Sequence, residues 1–375
     1  MEEIVFPTKI VEGNDALKKL SDYKSYKAFI VADPFVVESK TIDQVTKHLQ
    51  DENYIVYSDI IPDPPIEKVI SGMNEMEAFH AEIMIAIGGG SAIDAAKAMK
   101  FFSEKIFHST ILAFIAIPTT SGTGSEVTNF SVITNSELGI KYPLVADSIQ
   151  PTLAILDTNL VLTVPPTITA DTGMDVLTHA IEAYVSTKSS IISDALCEKV
   201  VKLVFENLEE AYQHGETEKA RENMHLASAM AGMAFNQASL GLNHGIAHAA
   251  GARFHVPHGR MNAILLPEVI RFNADIQNGK KNDWYIAKRY MALANCIGET
   301  TTNPRLGVQN LIRAIKDLRR KLKLPASLNE YGIATSEVRA AKSEVAQAAM
   351  NDGCTATNPR VPTQNEVEHI LEQIS

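Results

Sequence analysis

Hydrophobic periodicity changes once along this chain, at Pro165-Pro166, and that change limits the possible folds more than any other feature. Before it, short β-rich runs at Lys27 to Ala32, Glu82 to Ile87, Leu112 to Ile117 and Leu153 to Leu156 alternate with helix-like stretches at Lys40 to Asp51, Pro65 to His80 and Ser91 to Phe101. Strands separated by helices predict a mainly parallel sheet covered on both faces. After it, Ala170 to Val185, Ser193 to Glu210, Arg221 to Ala238 and Val308 to Leu322 are apolar at helical spacing, with no comparable strand. An α/β domain over 1–165 followed by an all-helical domain over 166–375 is therefore expected. At 375 residues each half can bury a sizeable core. Met224, Met230 and Met233 read as part of an apolar stripe in that core.

Bulk properties narrow the function. Cys197, Cys296 and Cys354 are odd in number and widely spaced, which argues against a disulfide framework or a thiolate zinc site. A formal net charge of −11 disfavours nucleic acid and anionic membranes as partners. The longest apolar run, Ile111 to Pro118, is too short to span a bilayer, and the start, Met-Glu-Glu-Ile-Val-Phe-Pro, lacks the basic and apolar regions of a signal peptide. A cytoplasmic enzyme fits these features.

The second half carries a candidate metal site. Asp175 and His179 stand four residues apart in a helical segment, so a carboxylate and an imidazole project from one face. Between Gly241 and Gly259, four of the eleven histidines fall within fifteen residues, in a stretch that is apolar between them and lacks the Lys/Glu of a solvated face. His244 and His248 are again four apart, and spacing leaves His248, His255 and His258 open for the remaining roles.

The first half carries two loops suited to a dinucleotide. The strand ending at Ile87 feeds Gly88-Gly-Gly90, and Ser91-Ala-Ile-Asp94 then opens a helix with the pattern of a capping box. Glycines let a diphosphate approach the backbone, and a helix start adds unpaired N–H donors. This is not the Gly-x-Gly-x-x-Gly fingerprint. A second loop, Thr119-Thr-Ser-Gly-Thr-Gly124, offers hydroxyls after another strand. Asp33 closes the first strand, where a carboxylate can accept from adenosine ribose hydroxyls and repel a 2′-phosphate.

Four segments, Gly88-Gly-Gly-Ser-Ala-Ile-Asp-Ala-Ala-Lys97, Pro118-Thr-Thr-Ser-Gly-Thr-Gly-Ser-Glu-Val-Thr128, Gly173-Met-Asp-Val-Leu-Thr-His-Ala-Ile-Glu182 and Gly241-Leu-Asn-His with Pro257-His-Gly259, resemble in order and separation the iron-containing (group III) alcohol dehydrogenase family. With Phe6 to Gly13 and Leu265-Leu-Pro267 the resemblance runs from near residue 5 to about residue 275. It implies a Rossmann-like domain followed by an all-α metal-binding domain, in a dehydroquinate synthase-like architecture. It places the metal ligands on Asp175, His179, His244 and His258, makes His248 the nearby non-ligand histidine that relays a proton, and leaves His255 structural. NAD(H) is implied at Asp33, Gly88, Gly89, Gly90, Ser91, Asp94, Thr119, Thr120, Thr123, Thr128 and Lys141, with Glu126 and Thr128 supporting the second loop. The metal implied is Fe²⁺, with Zn²⁺ as the alternative.

Gly139-Ile-Lys-Tyr-Pro-Leu144 and Thr169 to Ala180 are further similar to the branch of that family that works on 1-propanol in propanediol-utilisation microcompartments. That implies a short-chain alcohol or aldehyde substrate, a homodimer or higher homo-oligomer, and microcompartment enzymes as neighbours. The competing readings are a zinc-dependent polyol dehydrogenase of the same superfamily and a metal-dependent hydrolase. Arg260, directly after His258-Gly259, departs from the small or apolar residues usual there; facing the pocket, it would favour a carboxylated or phosphorylated substrate.

Overall fold

Along Ile83-Met-Ile-Ala-Ile87 successive side chains enter opposite cores, Ile83, Ile85 and Ile87 on one side of the sheet and Met84 and Ala86 on the other. A strand buried on both faces has no polar side, which is why it reads as a continuous apolar run. The computed structural model describes residues 4–136, 140–276 and 284–375. It divides into two units, Met1–Val164 and Pro165–Ser375.

The first unit runs β1 (Lys9–Glu12), β2 (Ala28–Ala32), α1 (Pro34–Glu38), α2 (Asp43–Thr46), β3 (Tyr54–Tyr57), α3 (Ile66–Phe79), β4 (Ile83–Gly88), α4 (Gly90–Ile106), β5 (Ala113–Pro118), β6 (Phe130–Asn135), β7 (Ile140–Val145) and β8 (Leu153–Leu156). Six strands form one parallel sheet in the order β1-β8-β5-β4-β2-β3. From β2 the chain moves outward to β3, then returns to lay β4 on the other side of β2 and continues to β5. The strand order therefore reverses between β2 and β4. In open α/β sheets the crevice outside the carboxyl ends at such a switch is where ligands bind, and here those ends carry Asp33 and Gly88-Gly89-Gly90.

Three expectations change. The helix anticipated over Lys40 to Asp51 shrinks to Asp43–Thr46, because Lys40 takes a left-handed φ of 59°. Much of the segment after Lys40 closes by tight three-residue bonds, such as Val45 N–H to Ile42 O and Leu49 N–H to Thr46 O. The β-branched Thr41, Ile42, Val45 and Thr46 favour no longer helix. The capping box at Ser91 does not form: the N-cap of α4 lies two residues earlier, at Gly89, with no side-chain cap. The antiparallel β6–β7 hairpin, a separate two-stranded sheet, was not anticipated.

The second unit runs α5 (Pro166–Val185), α6 (Ile191–Gln213), α7 (Glu218–Ala238), α8 (Leu242–Phe254), α9 (His258–Ala274), α10 (Tyr285–Cys296), α11 (Pro304–Lys321), α12 (Leu328–Tyr331), α13 (Thr335–Asn351) and α14 (Gln364–Gln373), with no strand among the described residues. Pro166 begins α5 at the position where a missing N–H costs nothing. One core gathers α5, α6, α7, α10 and α11, with Met224 inside it and Met230 packed against it. A second gathers α8, α9, α13 and α14. Helix α9 serves both: Ala263, Leu266 and Ile270 face the first core, and Met261, Ile264, Leu265 and Val269 the second. Each of the larger of these buried aliphatics contributes about 1.5–3 kcal/mol, so the start of α9 is fixed against both α5 and α8.

Candidate metal centre and nucleotide loops

Helix α5 presents Asp175, His179 and Glu182, at i, i+4 and i+7, from one buried face; their exposures are 4%, 5% and 3%. Helix α8 supplies His244 and, one turn later, His248, while α9 supplies His258 as its first residue and Asn262 one turn on. The approach of α9 to α5 depends on Gly259, where a Cβ would lie 2.0 Å from the Asp171 carbonyl oxygen. Only glycine allows the two backbones that close, and His258 is its neighbour.

Asp175 Oδ1 lies 3.5 Å from His258 Nε2, 3.6 Å from His244 Nε2 and 3.9 Å from His179 Nε2. A tetrahedral ion with arms of about 2.1 Å has donors about 3.4 Å apart, so the distances from the carboxylate oxygen to the His258 and His244 nitrogens are close to that spacing and the one to His179 is longer. Donor atoms of Asp175, His244 and His258 all lie within 4.8 Å of one another; His179 is the outlying member of the four. Its Nδ1 is buried with no hydrogen-bond partner, and its ring stacks on His244 at 4.7 Å. The donor chemistry, one carboxylate with three imidazoles, fits a divalent cation.

The electrostatics favour a cation at three of the four groups. Burial pushes the Asp175 carboxyl up, but His179, His258 and His244 outweigh it and hold it well below the usual carboxylate range. Burial pushes the His179 imidazole down to about 4, which keeps it neutral and able to bind a metal; His258, whose side chain is 41% exposed, is shifted in the same direction. Burial would lower His244 too, yet the Glu182 and Asp175 carboxylates raise it to about 9, so this ring gives up a proton when it takes a cation and is neutral only in the loaded site.

Two residues around this centre escaped the sequence reading. Glu182 Oε2 meets His244 Nδ1 at 2.5 Å, and its Oε1 accepts the Asn243 N–H at 2.6 Å. It thereby fixes both the His244 ring and the start of α8, leaving His244 Nε2 toward Asp175. The signal was its i+7 spacing from Asp175 inside a segment already singled out. The Asn262 amide donates to Asp175 Oδ1 at 2.7 Å and lies 3.2 Å and 3.1 Å from His244 and His258 Nε2. It stands four residues after His258, the same spacing that revealed Asp175 and His179.

His248 is partly exposed, stacks on His258 with ring centres 5.2 Å apart, and its Nδ1 pairs with Asp352 Oδ2 at 2.8 Å. His255 caps the end of α8 in a left-handed conformation, its N–H on Gly251 O. Arg260 is tied to Asp171 by two hydrogen bonds, from Nε at 3.0 Å and from an Nη at 2.9 Å, and lies over the Tyr331 ring.

In the first unit Asp33 caps α1, its carboxylate accepting the Phe35 N–H at 2.9 Å, and its own N–H bonds Ile87 O at the end of β4. Gly88 has φ 151°, and a Cβ there would meet Asp33 Cβ at 2.8 Å, so glycine is what lets the two strand ends meet. A Cβ on Gly89 would touch Thr120, and one on Gly90 would crowd Thr123 at 2.8 Å. Thr119 bonds Gly88 O through its N–H, and the side chains of Thr119, Thr120 and Ser91 are half-buried beside this corner.

Asp94 and Thr128 face inward instead. Asp94 accepts the Ser125 hydroxyl at 2.6 Å and the Val132 N–H at 3.1 Å. The buried Lys97 ammonium donates to Ser125 Oγ, Thr128 Oγ1 and Phe130 O at 2.9, 3.0 and 2.7 Å. These side chains brace the second loop from behind, and Glu126, beside them, is raised to about 7 by burial. The Lys141 side chain lies outside the described residues.

Comparison with known proteins covers both units. Residues 7–158 match the family described as iron-containing alcohol dehydrogenase, and residues 169–375 match the Fe-containing alcohol dehydrogenase family, C-terminal. The chain is 42% identical to 1-propanol dehydrogenase PduQ of Salmonella typhimurium, over 100% of both chains. It is 40% identical to the NADPH-dependent butanol dehydrogenase of Clostridium saccharobutylicum, over 99% of this chain and 97% of that one. The crystal structure of a 1,3-propanediol oxidoreductase superposes with a TM-score of 0.91 at 28% identity, covering 100% of each chain. Matched along almost its whole length by two family descriptions and two full-length relatives, the chain belongs to the iron-containing alcohol dehydrogenase family.

Proposed function

We propose that the chain exchanges hydride between NAD(H) and a short-chain primary alcohol or aldehyde, 1-propanol/propionaldehyde or ethanol/acetaldehyde, with Asp175, His179, His244 and His258 holding Fe²⁺. The observation that carries this is the approach of three imidazole Nε2 atoms to within 3.5–3.9 Å of one carboxylate oxygen. When bound, the ion supplies Lewis-acid charge to the substrate oxygen and NAD(H) supplies or takes the hydride. One carboxylate against three neutral imidazoles leaves the donor set short of neutralising a dication, so attraction for a substrate oxygen remains. His248, outside the set yet stacked on His258, exchanges the oxygen's proton with solvent through water. The same donors accept Zn²⁺, and metal supply decides between the two.

In the first unit the Gly88-Gly89-Gly90 corner and the start of α4 hold the diphosphate, with Ser91, Thr119, Thr120 and Thr123 offering hydroxyls. Asp94 and Thr128 act through the shape of the second loop, and Lys141 is proposed beside the nicotinamide ribose. Asp33 favours NAD over NADP by repelling a 2′-phosphate, in contrast to the NADPH-dependent butanol relative. Arg260, occupied by Asp171, offers no free cation to an acidic substrate, which supports an uncharged aldehyde. Identity to a 1-propanol dehydrogenase over its full length supports the propanol branch, and with it our proposal of a homo-oligomer working among microcompartment enzymes.

The test is an anaerobic assay of the Fe²⁺-loaded protein with NADH against propionaldehyde, acetaldehyde, lactaldehyde, succinic semialdehyde and dihydroxyacetone. Unbranched short aldehydes are expected to have the highest kcat/KM; preference for the acidic aldehyde or the ketone overturns the substrate assignment. The ligand set is tested apart from activity: His258→Ala should lose stoichiometric metal while NADH still binds, and full metal content in that variant sinks the assignment.

A further inference from the structure

We propose that Asp352 is the positioning residue for His248: its carboxylate pins Nδ1 and so commits Nε2 to the proton exchange. This rests on the reading of His248 as the proton carrier. Each carboxylate oxygen has its own donor. Oδ2 meets His248 Nδ1 at 2.8 Å, and Oδ1 accepts the Cys354 N–H at 2.8 Å. A carboxylate held at both oxygens cannot swing to follow a rotating ring, so the ring must follow it.

The segment that carries Asp352 is itself fixed. Asp352 ends α13, with its N–H on Ala349 O, and its carbonyl accepts the Thr355 N–H at 3.1 Å. Thr355 Oγ1 donates back to Ala349 O at 2.7 Å. A Cβ on Gly245 would lie 2.1 Å from Thr355 Oγ1, so the turn after α13 rests directly on α8, one helical turn before His248. The partner of His248 is thus delivered from 104 residues away by a turn packed on its own helix.

A carboxylate accepts only, so Nδ1 carries the hydrogen it shares with Asp352, and Nε2 is the nitrogen that gains and loses a proton. In aldehyde reduction the hydride comes from NADH, the new O–H bond takes its proton from Nε2–H through water, and Nε2 regains one from solvent. Asp352 stays ionised throughout and acts only through the ring, its carboxylate being taken up by His248 and the Cys354 N–H. Without it, the partly exposed ring is free to turn about its side-chain bonds.

The test compares wild type, Asp352→Ala, Asp352→Asn, His248→Ala and the double variant Asp352→Ala/His248→Ala, all Fe²⁺-loaded, by kcat, aldehyde KM and iron content. Asp352→Ala should lower kcat roughly tenfold or more, with KM and iron unchanged. Asp352→Asn, whose carbonyl still accepts from Nδ1, should recover most of the rate, which a merely structural role does not predict. In the His248→Ala background the Asp352→Ala change should add nothing, because a residue acting only through another has no separate effect. Losses that multiply, or iron lost with Asp352→Asn, overturn the inference. A slow His248→Ala beside a normal Asp352→Ala overturns positioning alone; His248→Ala at the wild-type rate overturns the proton role and the positioning with it.

Discussion

Glu182→Gln separates charge from shape at the residue that joins the start of α8 to the proposed metal centre. The carboxylate serves His244 Nδ1 at 2.5 Å, the Asn243 N–H at 2.6 Å and the His244 N–H at 3.3 Å. All three partners are donors or become donors, and Glu182 is 3% exposed, so water cannot substitute. Glutamine keeps one acceptor oxygen and turns the other into an N–H₂ donor. If the amide oxygen serves the backbone, its N–H₂ faces His244 Nδ1 and reverses the ring's tautomer, moving the hydrogen to the Nε2 that should face a cation. If it serves the ring, the N–H groups opening α8 lose their acceptor. Outer partners of ligating histidines are typically worth 10–100-fold in metal affinity, or about 1.4–2.7 kcal/mol. Losing a buried hydrogen bond to a charged group costs a further ~1.5–3 kcal/mol of stability. Competition with a graded chelator gives the first quantity, and thermal unfolding of the metal-free protein the second. Wild-type metal affinity in Glu182→Gln would refute the argument that this carboxylate sets the His244 donor atom.

Gly259→Ala places a methyl group 2.0 Å from the Asp171 carbonyl; we expect about 1–3 kcal/mol of destabilisation from overpacking and weaker metal retention, because the first turn of α9 carries His258, and an unchanged melt together with full metal content would contradict this. Asp33→Ser should raise the NADP/NAD ratio of kcat/KM, whereas an unchanged ratio reduces Asp33 to the cap of α1 seen in its bond to Phe35. Burial raises Glu126 from 4.5 to about 7, so its contribution to stability is fully present below pH 4.5 and is lost as pH rises through 7. Glu126→Gln should remove that slope, gaining on wild type by no more than about 3 kcal/mol between pH 5 and pH 8; parallel melting curves across that range would count against it.

The range of the forces involved decides which features are legible in the sequence and which are hidden. Alternating buried strands leave continuous apolar runs, so β2, β4, β5 and β8 were legible within a residue or so. The four-residue spacing of Asp175 and His179 is a local helical fact and was legible too. The short edge strands β1 and β3 and the β6–β7 hairpin were not, since runs of four residues such as Lys9 to Glu12 and Tyr54 to Tyr57 are too short to show a period of their own. The Ser91 and Asp94 pattern misled because a longer-range claim outbid the local one: Asp94 braces Ser125 and Val132, 31 and 38 residues away, and a backbone N–H at the helix start is left for other acceptors. The same distance in sequence hid Asp352, joined to His248 across 104 residues. Glu182 is the instructive case, because its i+7 spacing was in plain view and only its partner was not. A helix face that shows Asp, His and Glu at i, i+4 and i+7, all in an apolar setting, buries two carboxylates and an imidazole together. Such a face demands cationic or donor partners from elsewhere in the chain, and His244, His258 and the N–H groups opening α8 are what this fold supplies.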